Sequence, residues 1–195
     1  MKKLSTYLFL LLFSFQTSSQ ADDIRDFQIE GMSIGDSLLD YFDKSYIDKK
    51  GKHLYPNKDF KGSKFTSNKF QIYDSIFIHY LSNDGKYVIY SISANIYYPN
   101  KISDCLKKRK EINKNIKSLF DNPEEEDWGK RVLKNIDKSL QTYAYQNIYW
   151  LNEGNIIVSC RDYGKIKESE GLRDYLSIMI DSNYFADWLN NKAWN

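Results

Sequence analysis

The chain reads as an α+β domain: an antiparallel, hairpin-rich sheet with helices packed on one face and one disulfide. Three observations predict this class. Two stretches alternate apolar and polar residues around the turn sequences Asn83-Asp84-Gly85 and Asn152-Glu153-Gly154, the pattern of half-buried hairpins. Between them lies a lysine-rich segment with apolar residues at helical spacing. Cys105 and Cys160 are the only cysteines. Hairpin strands interrupted by helices argue for a layered antiparallel architecture, not a parallel sheet wound with helices.

The elements follow in order. Residues 1–21 have the layout of a signal peptide. Lys2 and Lys3 are followed by an uncharged apolar run, then by a small-residue segment ending Ser19-Gln20-Ala21. That run is too short to span a bilayer, and no later stretch would, so the expected product is periplasmic or secreted, with residues 22–195 forming one domain. Phe27-Gln28-Ile29 reads as a short strand. Ser33 and Ser37 offer N-caps to a helix carrying Leu38, Leu39 and Phe42. Residues 49–68 form a long basic loop with an edge strand near Phe65.

Ile72, Ile76, Ile78 and Tyr80 share one parity before the first hairpin turn, and Val88, Tyr90, Ile92, Ala94, Ile96 and Tyr98 share one after it. Ser103-Asp104 caps the next helix, whose stripe is Cys105, Ile112, Ile116 and Leu119. Asn122-Pro123 opens a further helix. There residues 124–127 are all acidic and suit the helix dipole, and Trp128, Val132, Leu133, Ile136 and Leu140 continue an apolar face. Residues 143–151, 155–162 and 173–181 read as strands. Tyr184, Phe185, Trp188 and Leu189 form a last amphipathic helix.

Removal of Lys2 and Lys3 lowers the basic count from 28 to 26, equal to the 26 acidic residues. A neutral chain lacks the basic surplus of a nucleic-acid binder. In an oxidising compartment the two cysteines most simply pair; the alternative is two buried thiols. The residues offer no cofactor motif and no metal site. The acidic run lacks the spaced ligands and mid-loop glycine of a calcium loop.

Gly35-Asp36-Ser37-Leu38 resembles the serine block of the GDSL (SGNH) esterases, which also comes early, between a strand and a helix. The resemblance implies Ser37 as nucleophile, served by a late Asp-x-x-His block. That block is missing, as is the family's Gly-x-Asn-Asp: His53 and His79 are the only histidines. A serine hydroxyl without a histidine base is a poor nucleophile. Gly31-Met32-Ser33-Ile34-Gly35 also fits the nucleophile-elbow pattern, but only one short strand precedes it.

More broadly, residues 29–38, a later lone cysteine in a lysine-rich helix and Val158-Ser159-Cys160 resemble a family of uncharacterised exported proteins from AT-rich marine alphaproteobacteria. That resemblance implies no activity. The expected function is a non-catalytic binding or envelope-associated module; the alternative is a divergent GDSL-type esterase using Ser37. Tyr87, Tyr97, Tyr143, Tyr145 and Tyr149 have parities suited to an open sheet face, where rings stack on a glycan or receive an envelope protein. The competing reading buries them in a second core beneath the long loop.

Overall fold

The computed structural model describes residues 23–67, 70–99, 101–120 and 123–195. The expected signal segment, residues 1–21, lies outside them. Among the described residues the strands are β1 (Phe60–Phe65), β2 (Ser75–Leu81), β3 (Ser91–Tyr97), β4 (Glu124–Val132), β5 (Tyr143–Leu151), β6 (Gly154–Asp162) and β7 (Tyr175–Ser182). They form one sheet in the order β1-β2-β3-β7-β6-β5-β4, with every pairing antiparallel. The helices are α1 (Lys44–Lys50), α2 (Ile102–Leu119), α3 (Lys165–Ser169) and α4 (Asn183–Asn191).

Period-2 alternation puts Ile76, Ile78, Ile92, Ala94, Ile156, Val158, Leu176, Ile178 and Ile180 on one face, the inner face, where all are buried. α2 lies across it, burying Cys105 and Ile116. Cys105 and Cys160 form a disulfide with Cα atoms 6.0 Å apart across a separation of 55 residues, which stabilises the fold by about 4 kcal/mol through loop closure. Close approach is built in at Gly154, where a Cβ would lie 2.1 Å from the Asp181 carbonyl oxygen.

The outer face is only partly covered. Helix packing on one face holds for α2, whereas α4 folds over one end of the other. Phe185 and Trp188 there join Phe60 in a second core, flanked by Tyr55, Leu81 and Tyr90. The basic loop latches onto this helix: the Trp188 indole N–H donates to Asn57 Oδ1 at 3.1 Å, and the Asn57 N–H donates to the Ala193 carbonyl at 3.2 Å. Ser182 caps α4 by accepting the Phe185 N–H.

Three expectations are corrected. Residues 124–132 form the edge strand β4, not a helix opened by Pro123. Glu125 and Asp127 project toward α2 and pair with Lys117 and Arg109. Gly129, at φ +57°, provides the irregularity that resets the register after Asp127. The supposed apolar face stays wet, with Trp128, Val132, Ile136 and Leu140 each 38–49% exposed. Second, Ser103 and Asp104 sit inside the first turn of α2; Lys101 holds the N-cap position without a side-chain bond. Its stripe buries Arg109, while Leu119 is exposed.

Third, no long helix follows Ser37. A 3-10 turn over Leu38–Asp40 comes first, and α1 begins only at Lys44. Residues 35–38 instead pair with the hairpin excursion at residues 87–89: the Gly35 N–H donates to Ile89 O, and the Leu38 N–H to Tyr87 O. This side pairing pulls Tyr87 and Ile89 into the core and delays β3 to Ser91. Glu30 and Gly31, at φ +51° and +81°, make the tight turn that joins Ile29 to Met32.

Candidate functional site

The outer face is a ladder of rows with two different ends. Along β7 it presents Tyr175, Ser177, Met179 and Asp181; opposite them β3 presents Tyr97, Asn95, Ser93 and Ser91. The Asp181 end lies beneath α4. The Tyr175 end is open.

Under α4 the register brings together His79, Ser91, Asp181 and Asn155, all buried. His79 Nδ1 lies 3.4 Å from Ser91 Oγ, and Ser91 also hydrogen-bonds the Asp181 carboxyl. Phe185 stacks on the imidazole with centroids 4.4 Å apart. Burial pushes His79 down to about 4 and pushes Asp181 up to about 6, because each charged form loses its hydration. Among the described residues His79 Nε2, Asp181 Oδ1 and Asn155 Oδ1 have no hydrogen-bond partner. Serine, histidine and aspartate thus meet, but in the wrong order for hydrolysis. The serine stands between the other two, and Ser91 is 0% exposed. A nucleophile needs the histidine in the middle and access to substrate.

At the open end a pocket of about 490 Å³ is lined by Asn95, Tyr97, Tyr163, Leu172, Arg173 and Tyr175 among others, within the range of small-molecule sites. Tyr97 meets Tyr175 edge-to-face at 6.3 Å, and Tyr163 tilts against Tyr175 at 6.2 Å. The Arg161 guanidinium sits 5.5 Å from the Tyr175 ring centroid, and Lys64 Nζ donates to the Tyr97 hydroxyl at 3.4 Å. Burial pushes the Tyr175 phenol up to about 12, so it is a neutral donor at physiological pH. Asp174 sets the wall: its carboxylate accepts the Tyr163 N–H at 2.8 Å, and its carbonyl accepts the Tyr98 N–H at 2.8 Å. Burial raises the Asp174 pKa, against the lowering effect of that N–H.

The structure gives the expected site residues other surroundings. Ser37 donates to the Lys86 carbonyl at 2.6 Å and accepts the Leu39 N–H at 3.2 Å; among the described residues no histidine bonds it. His53 sits against the Phe60 carbonyl and Ser82. Tyr143, Tyr145 and Tyr149 point to the α2 side of the sheet, because Tyr145 pairs with Cys160 and Tyr149 with Ile156. Tyr149 is 0% exposed and donates to Glu125 at 3.0 Å, so it has no ring face to offer a ligand. Tyr143 and Tyr145 flank Lys130. Tyr87 is buried in the main core. The second core does lie beneath the long loop, but Phe60, Phe185 and Trp188 build it.

Of the five tyrosines singled out by parity, Tyr97 alone lines the open pocket. Tyr163, Arg173 and Tyr175 carry no motif, and only strand pairing reveals them. Among the described residues no group of three His, Cys, Asp or Glu side chains is placed to hold a metal ion, and no helix is long and apolar enough to cross a membrane. Compared with protein-family models, with curated proteins and with solved structures, the chain matches none.

Proposed function

We propose that this protein is an exported, non-catalytic binding module that holds a small ring-bearing ligand in the Tyr97–Tyr163–Tyr175 pocket. One observation carries the reading: three tyrosine rings converge with Arg173 and Asn95 on a concave, open part of the outer face. Aromatic walls with a few placed polar groups are the usual makeup of a ligand site. Export is supported by the signal-like start of the chain and by the Cys105–Cys160 disulfide.

The test is an NMR titration of the isotope-labelled protein, residues 22–195, with a fragment library. Saturable shifts clustered on the amides of Tyr97, Tyr163, Leu172 and Tyr175, and abolished by Tyr97→Ala, are expected. Shifts confined to other surfaces overturn the reading. The esterase alternative has its own test in fluorophosphonate labelling, where no adduct is expected. An adduct lost in Ser37→Ala would make the protein a hydrolase.

A further inference from the structure

Three cations stand at or beside the pocket. Arg173 lines it, Arg161 stands over the Tyr175 ring, and Lys64 reaches the Tyr97 hydroxyl. Among the described residues neither Arg161 nor Arg173 lies within ion-pair distance of a carboxylate. The nearby acids are already committed: Asp74 accepts the Tyr97 N–H at 2.8 Å, and Asp174 accepts the Tyr163 N–H. Asp162 pairs with Tyr143 and belongs to the opposite face. A ligand entering here meets the Arg173 guanidinium, tyrosine rings and the planar amide of Asn95.

We infer that the ligand is an acidic saccharide, a sugar ring bearing a carboxylate, with its ring against Tyr97 and Tyr175 and its carboxylate held by Arg173. This rests on the pocket being the binding site. A pyranose has an apolar C–H face that packs on an aromatic ring and a hydroxyl edge that needs in-plane donors and acceptors; the tyrosine rings and Asn95 present both. A guanidinium fork matches a carboxylate with two parallel hydrogen bonds. A fatty acid would need an enclosed apolar tunnel, and this pocket is open with phenol and amide tips.

The site also has a direction. Leu172 and Arg173 continue into an adjoining groove of about 280 Å³ that includes Pro99 and Glu168.

The experiment is a set of NMR titrations with tetragalacturonate, its methyl ester and monomeric galacturonate. Tetragalacturonate is expected to shift the Tyr97, Tyr163, Leu172 and Tyr175 amides at least tenfold more tightly than the ester. Arg173→Gln should erase that difference without altering the rest of the spectrum, and Arg161→Gln should reduce it. Binding of acid and ester with equal affinity overturns the acidic class and leaves the pocket standing. So does the absence of binding by all three sugars when fragments still shift these amides. If neither sugars nor fragments shift them, both readings fall. A tenfold gain of tetramer over monomer assigns the site to a polysaccharide segment, and equal affinity assigns it to a free sugar acid; either outcome supports the acidic ring.

Discussion

The two ends of the outer sheet face are built from the same two strands and behave oppositely. At the Asp181 end, polar side chains lie under aromatic cover, and their titration is displaced by lost hydration. At the Tyr175 end, aromatic side chains line an open pocket beside Arg161 and Arg173, which have no acidic partner among the described residues. The difference is the presence of α4. A helix of nine residues turns one stretch of sheet into core and leaves the other as surface, and a polar group buried without a full set of partners destabilises the fold.

Removing the cover should have the largest effect. Phe185, 1% exposed and stacked on His79, when changed to Ala should cost about 3–5 kcal/mol, measured by urea unfolding. The His79 pKa, followed by NMR, should climb from about 4 toward its ordinary 6.5. An unmoved pKa would mean that α4 is not what dries this end. Cutting the staple on the far face sharpens the comparison from the other side. Cys105→Ala with Cys160→Ala should cost about 4 kcal/mol and leave the His79 pKa where it is; a shift would show the two faces to be coupled.

The buried pair predicts opposed pH dependences. Asp181 has a raised pKa, so its contribution is full below about 3.8 and is lost as pH rises through about 6. His79 has a lowered pKa, so its contribution is full above about 6.5 and is lost as pH falls through about 4. The two slopes oppose each other between those limits. Asp181→Asn should therefore stabilise the protein at pH 7 by roughly 1–3 kcal/mol and unmask a stability that rises from pH 4 to 6.5. His79→Leu should unmask one that falls from pH 4 to 6. Parallel profiles for the two variants would show that the groups do not titrate as this geometry requires. Smallest of all is the open end. Tyr97→Ala, at a residue 37% exposed, should change stability by less than about 0.5 kcal/mol while removing ligand binding. A larger loss would place Tyr97 in the fold's support instead of its site.

Much of the scaffold was legible. The hairpins, the parity of Ile76, Ile78, Ile92 and Ala94 and the amphipathic α4 follow from local pattern, and the pairing of Cys105 with Cys160 from their being the only two cysteines. Burial of one face imposes a period on the chain, and turns impose particular residues. The misreadings share a cause. Residues 124–132 combine acidic residues with apolar ones at helical spacing, but β5 needed an edge partner and α2 offered Arg109 and Lys117 to the acids. Tyr149 and Tyr97 share a parity along the chain, yet strand order sends them to opposite faces.

Local periodicity therefore determined most of the central strands and the apolar residues of their buried face, because those depend on neighbours a few positions away. Tertiary structure alone decided that Ser37 bonds the Lys86 carbonyl, that His79, Ser91 and Asp181 meet under α4, and that Tyr97, Tyr163, Arg173 and Tyr175 converge. Each of those groupings joins residues far apart in the chain, and their meeting depends on the order in which the strands pair and on where a terminal helix comes to rest.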